Sequence, residues 1–161
     1  AKGTKSRMEY ITATSDMVDA VHDILHTAIK TIYPKYYPKE VAEFFCRHHS
    51  KEHILDGITS GNMGVLVVDN VIAGTGCFDN NHITGVYVLP SHQKQGCGTQ
   101  IMNCLENEIR KKHDTAILDA SLPAVCLYEH RGYKTVGHGI YELENDVRLV
   151  YEIMEKKLRV G

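Results

Sequence analysis

Residues 85–113 read GVYVLPSHQKQGCGTQIMNCLENEIRKKH, a strand, a glycine loop and a helix in one uninterrupted run. Val86, Tyr87, Val88 and Leu89 form an apolar segment that Pro90 stops, because its ring fixes φ and its nitrogen cannot donate to a ladder. That is a buried strand with an abrupt end. Ile101, Leu105 and Ile109 then recur every four residues with Met102 beside them, while Gln100, Asn103, Glu106 and Arg110 take the other face. This predicts an amphipathic helix, closed by Arg110, Lys111, Lys112 and His113 where the helix dipole is negative.

Between them lies Gln93-Lys94-Gln95-Gly96-Cys97-Gly98-Thr99, whose two glycines let the backbone approach a ligand and aim several N–H groups the same way. At a helix N-terminus such a loop binds anions, phosphate above all. The glycines alone also suit an ordinary turn into a helix. The P-loop pattern is absent, and the dinucleotide pattern Gly-x-Gly-x-x-Gly fails because Ile101 stands at its third glycine. What remains, Gln93-x-x-Gly96-x-Gly98 after a strand ending Val-Leu-Pro, resembles the Gln/Arg-x-x-Gly-x-Gly/Ala signature of the GNAT N-acetyltransferases. Residues 121–133 resemble a second motif of that family, Asn-x-x-Ala-x-x-Leu-Tyr-x-x-x-Gly-Phe/Tyr. Ala124, Leu127, Tyr128, Gly132 and Tyr133 match it, and Ser121 departs from it.

The resemblance implies acetyl-CoA as co-substrate and no metal. It places the pyrophosphate on Gln93, Lys94, Gln95, Gly96, Cys97, Gly98 and Thr99, and the pantetheine arm along Val86 to Val88, with the Val88 N–H toward the thioester carbonyl and Ser121 in the cofactor-binding set. It implies direct transfer to a primary amine of a small molecule or peptide, and makes Tyr128 the acid for the departing thiolate. A phenol of pKa about 10 suits a thiol near 8.5. His82 is a candidate base, since some relatives keep a histidine at the matching place; Glu142 and His138 are alternatives, as is capture of neutral amine without a base. The acceptor is expected between Tyr33–Tyr37 and His138–Asp146. Tyr36 and Tyr37 either line this cleft or close the end of the core.

A chain of 161 residues is about one domain, read as 1–161 with residues 1–7 a loose end. A hydrophobic share of 43% with 24% charged residues is ordinary for a folded domain, and the net charge of −2 argues against a general nucleic-acid partner. No run is long enough to span a membrane, and the first residues carry no signal-peptide pattern, so a cytoplasmic protein is expected. The five cysteines include no Cys-x-x-Cys pair and read as reduced thiols; Cys97, at a helix N-terminus, either reacts or fills a small slot.

Along the chain, Tyr10–Thr12 reads as a strand, and the next helix carries Val18, Val21, Leu25, Ala28 and Ile32 before Pro34. Lys39 to Ile58 reads as one helix. Residues 64–68, 71–78 and 82–89 form an antiparallel meander with turns at Asp69-Asn70 and Asp79-Asn80-Asn81. A strand (115–120), a short helix (123–131) and a terminal hairpin (133–142, 147–155) complete the order. The fold class is α/β: a GNAT-like single domain, its mixed, mostly antiparallel sheet of about seven strands flanked by about four helices. The crossover between residues 82 and 120 makes one parallel pair, whose splayed ends open a crevice above the glycine loop.

Two further readings compete on function. A non-catalytic acyl-CoA-binding module would need no proton donor at Tyr128. His49-Ser50-Lys51-Glu52-His53 spells His-x-x-Glu-His, and on one helix its imidazoles would share a face for zinc, as in a hydrolase; a solvated, histidine-rich face is the plainer account. Glu142, Glu144 and Asp146 hint at a cationic acceptor such as a polyamine, an aminoglycoside or a peptide N-terminus, or are simply a solvated turn. Val147, Leu149, Tyr151 and Ile153 share one strand face, which either joins a homodimer interface or is buried in the core.

Overall fold

The computed structural model describes residues 7–159. Seven strands form one sheet: β1 (Met8–Thr12), β2 (Met63–Val68), β3 (Val71–Asp79), β4 (His82–Val88), β5 (Thr115–Ser121), β6 (Lys134–Glu142) and β7 (Arg148–Lys157). Their spatial order is β1-β2-β3-β4-β5-β7-β6, and every neighbouring pair is antiparallel except β4 with β5. The meander and the crossover thus fall where the sequence placed them. The hairpin turns carry their signature residues, with Asp69 and Asn70 at φ 48° and 68°. Residues 1–6 of the expected loose end lie outside the described residues. Arg7 is tied down, its N–H donating to Asp69 Oδ1 at 2.9 Å.

The helices divide between the two sheet faces. On one, α4 (Cys97–Arg110) buries Ile101, Met102, Leu105 and Ile109 against Leu66, Ala73, Ile83, Leu118 and Met154. On the other, α1 (Val18–Ile32) and α3 (Lys51–Thr59) bury Val21, Leu25, Ile54 and Ile58 against Met63 and Val65. Between those two helices runs α2 (Lys39–His48), and α5 (Val125–His130) follows β5.

Among the described residues there are five α-helices rather than four, because Lys39 to Ile58 breaks at His49 and Ser50. Ser50 is extended (φ −69°, ψ 161°) and its side chain accepts from the His53 N–H at 3.3 Å, so it caps a new helix instead of continuing the old one. His49 and His53 therefore do not share a helix face, and the zinc geometry read from His-x-x-Glu-His is not formed. Instead, the His49 carbonyl accepts from His26 Nε2–H at 2.8 Å, and its own Nε2 lies 3.4 Å from the Tyr87 hydroxyl. Among the described residues no group of three or more His, Cys, Asp or Glu is placed to hold a metal ion.

The polar face of α4 is likewise not all solvated, since Glu106 is only 3% exposed. Arg131 Nε donates to its Oε2 at 2.6 Å, the Tyr133 hydroxyl to the same oxygen at 2.9 Å, and Lys156 Nζ to Oε1 at 2.9 Å. Burial pushes this carboxyl up, but the bonds from Arg131, Lys156 and Tyr133 outweigh it and hold the group below its usual value. A lone buried carboxylate at this spacing looks like any solvated helix position until β7 and the segment after α5 bring their donors to it.

Two stability predictions follow from these groups. Glu106→Ala strands two cations and a phenol, and a urea denaturation curve is expected to show a loss of about 3 kcal/mol. Burial, with His26, His48 and His53 nearby, pulls the His49 imidazole from 6.5 down to about 4. The unfolded chain therefore binds a proton here that the folded chain refuses, and stability falls as pH drops from 6.5 toward about 4. His49→Gln is expected to flatten that slope, read from denaturation midpoints across the window; an unchanged slope contradicts the assignment.

Candidate active site

The site begins where β4 and β5 part. They pair only at His82↔Ile117 and Ile83↔Leu118. Against β3, Cys77 faces Gly85 while Phe78 faces Ile83, so Thr84 is an extra residue, a bulge that bends β4. Beyond it opens a cavity of about 850 Å³. The ladder fixes which amides face it. The Leu89 N–H donates to Ala73 O at 2.8 Å, one step on from the pair Gly74↔Val88, so Val88 belongs to a non-hydrogen-bonded pair and turns its N–H and C=O away from β3. Val86, two residues back, does the same. Val86 and Val88 both line the cavity, and Gln93 Nε2 donates to Val88 O at 3.4 Å.

The glycine loop supplies the next wall. Gly96 caps α4 at φ 84°, a conformation that costs a side-chain-bearing residue, and Lys94 adopts φ 61° beside it. The first intrahelical bond runs from the Gln100 N–H to Gly96 O at 3.0 Å, leaving the N–H groups of Cys97, Gly98 and Thr99 ahead of it. Gly98 is at ordinary φ, and a Cβ built there meets no protein atom within 4 Å. Nothing inside the chain requires glycine there, whereas a ligand seated on the helix end would. Gln93, Lys94, Gly96, Cys97, Gly98 and Thr99 line the cavity. Gln95 does not; its amide donates to Ser91 O at 3.3 Å. Cys97 is 1% exposed and burial raises its thiol, so it fills the small slot rather than presenting a thiolate.

Tyr128 reaches the same cavity from α5. Arg131 and Tyr133, both bound to Glu106, hold the end of this short helix, and the Tyr133 N–H returns to Tyr128 O at 3.0 Å past Gly132 at φ 103°. The Tyr128 ring packs edge-on to Tyr133, centroids 5.8 Å apart. Burial raises its phenol, the Tyr33 phenol adds to that, and Arg131 opposes. Ser121 lines the cavity at the end of β5, and the Tyr37 hydroxyl beside it accepts from the Leu122 N–H at 3.0 Å. Tyr36, 60% exposed, is not part of the wall.

His82 is not in the cavity wall. Its Nε2 sits 3.5 Å from Asp119 Oδ2, and Asp119 is the residue that faces the cavity. The sequence reading missed it, although a signal was present: Asp119 is the one charge in the apolar strand 115–120, in the odd phase opposite the buried Ala116, Leu118 and Ala120. His138, Glu142, Glu144 and Asp146 also stay outside, and the hairpin contributes Tyr141, Leu149 and Tyr151 instead.

With this geometry in hand, comparison with known proteins is decisive: the family model for the acetyltransferase (GNAT) domain matches residues 32–154. The chain belongs to the GNAT acetyltransferase family. No curated protein sequence matches it significantly. Among solved structures, a GCN5-related N-acetyltransferase from Rhodopseudomonas palustris superposes with TM-score 0.85 at 19% identity, over 98% of this chain and 99% of that one. The PaiA N-acetyltransferase of Thermoplasma acidophilum, a complex with coenzyme A, gives 0.73 at 18% identity, over 94% and 99%. The ribosomal-protein-S18-alanine N-acetyltransferase of Escherichia coli gives 0.72 at 18%, over 96% of each chain. At these identities the likeness is one of GNAT fold.

Gly98→Val tests the helix end of this GNAT cleft. Coenzyme A affinity, measured by calorimetry, is expected to fall at least about tenfold, while the thermal midpoint holds or rises because a Cβ at this position has no protein atom within 4 Å and the substitution removes a helix glycine.

Proposed function

We propose that this protein moves an acetyl group from acetyl-CoA directly to a primary amine. The observation that carries the reading is that the outward backbone of Val86 and Val88, the free amides at the start of α4 and the Tyr128 phenol all line one cavity. The coenzyme A complex of the T. acidophilum relative and the alanine N-acetyltransferase activity named for the E. coli one support the donor and the acceptor group.

In this reading the diphosphate sits on the N–H groups of Cys97, Gly98 and Thr99, with Lys94 beside them, and the pantetheine amides pair with Val86 and Val88 as an added strand. The Val88 N–H polarises the thioester carbonyl. The amine lone pair forms the new C–N bond, the tetrahedral intermediate collapses, and the C–S bond breaks. Tyr128 gives its proton to the departing sulfur. Burial raises the phenol, but a thiolate released into the same water-poor cleft is raised as well, so the transfer stays within reach. The proton lost by the amine passes to Asp119, with His82 behind it as the path to solvent. His82, outside the wall, is not the direct base in this reading and acts only through its neighbour.

The test is thiol release from acetyl-CoA against a panel of amines, with acetylated product identified by mass. Tyr128→Phe is expected to lower kcat by about 10² or more and leave coenzyme A affinity within about twofold, because only the proton donor is lost. Coenzyme A binding with no thiol release from any amine would instead indicate a non-catalytic acyl-CoA-binding module.

A further inference from the structure

The acceptor end of the cavity carries one negative charge. Asp119 is the only carboxylate in its wall among the described residues, while the basic side chains His92, Lys94, His130 and Arg131 come from the glycine loop and the end of α5. The acids of the terminal hairpin stand outside that wall: Glu142 lies 4.0 Å from Arg148, Glu144 lies 4.0 Å from Arg47 on α2, and Asp146 is exposed. A polyamine or an aminoglycoside entering this end finds one counter-charge for several ammonium groups. The remaining charges are desolvated without partners, or stay outside in water with nothing to hold them.

What surrounds Asp119 is aromatic. Asp119 pairs with Ile153 and Ser121 with Tyr151, so Asp119 and Tyr151 are diagonal neighbours on one face of the sheet. The Tyr151 ring lies over Gly139 on β6, where a Cβ would come within 2.0 Å of its Cζ, and it stacks on Tyr141 with centroids 5.0 Å apart and planes at 28°. Tyr141 is braced in turn by Phe44 of α2 at 5.4 Å. From the opposite side, Tyr33 and Phe45 meet edge to face at 5.1 Å and complete the wall. Rings fixed in this way offer apolar area and π faces beside a single carboxylate. That arrangement suits an ammonium on a short stem attached to a flat or apolar body.

We infer that the acceptor is a monoamine whose nitrogen adjoins an apolar or aromatic group, with Asp119 taking the ammonium and Tyr141, Tyr151 and Phe45 taking the body. This rests on the acetyl-transfer reading and names its substrate class. Polycationic acceptors, suggested by the acids of the hairpin when read as sequence, are thereby disfavoured.

The experiment compares kcat/KM for 2-phenylethylamine, methylamine, spermidine and kanamycin with saturating acetyl-CoA, alongside calorimetric titration of coenzyme A. Phenylethylamine is expected to exceed each of the other three at least tenfold. Tyr151→Leu is expected to reduce the phenylethylamine-to-methylamine ratio at least fivefold, mainly through KM, with coenzyme A affinity unchanged. Faster acetylation of spermidine or kanamycin, or of methylamine, overturns the acceptor class and leaves acetyl transfer standing; so does a ratio unmoved in Tyr151→Leu. Coenzyme A binding without thiol release from any of the four overturns the acceptor class; the same silence across the full panel of amines and peptides overturns the transfer reading with it.

Discussion

One extra residue in one strand shapes the molecule's working end. Strands β4 and β5 are parallel and meet at only two positions, and the bulge at Thr84 turns the rest of β4 away from its neighbour. A sheet that closed there would spend the Val86 and Val88 amides on β5 and leave no crevice. Because it does not close, a row of backbone donors and acceptors is left facing a cavity, and the chain then runs straight into a helix whose first N–H groups face the same space. Both features are main-chain chemistry. They fit a fold kept between proteins with under a fifth of their residues in common: the requirement is on where the backbone points, and few side chains are needed to meet it.

The side chains that matter are positioned from a distance. Glu106, buried on α4, gathers Arg131 and Tyr133 from one side and Lys156 of β7 from the other. The first two clamp the turn after α5, and α5 carries Tyr128 to the cavity. A carboxylate removed from water at this depth contributes little net stability as an ion pair, but its removal is costly and its geometry is specific. The same interior keeps the phenols of Tyr33, Tyr87 and Tyr128 protonated, since burial disfavours each phenolate. The cleft is therefore divided. Charged and backbone donors stand at the glycine loop, and aromatic rings around one carboxylate stand at the other end.

Much of this was legible in residues 85–133. The alternation that stops at Pro90, the two glycines and the four-residue repeat from Ile101 to Ile109 are local signals, and local signals set strand, loop and helix. The parallel crossover followed from them, and the remaining strands from apolar runs and turn residues elsewhere in the chain. What was not legible depends on partners far along the chain. Glu106 reads as solvated until residues 25 and 50 positions later supply its donors. Lys39 to Ile58 reads as one helix because apolar spacing continues through it, whereas the Ser50 cap and the burial of His49 beside Tyr87 decide otherwise. His82 and Asp119 lie on adjacent parallel strands, and which of the two faces the cavity depends on a bulge that no periodicity announces. The hairpin acids left two readings open for a related reason: charge is easy to see in sequence, and the direction it points is not.

Main-chain amides are the proposed grip on the donor, and a crystal structure of the protein with coenzyme A tests that most directly. The diphosphate is predicted on the N–H groups of Cys97, Gly98 and Thr99, with the pantetheine amides in register with Val86 and Val88. Coenzyme A seated elsewhere on the protein, or a pantetheine arm that leaves those two backbones unpaired, contradicts it.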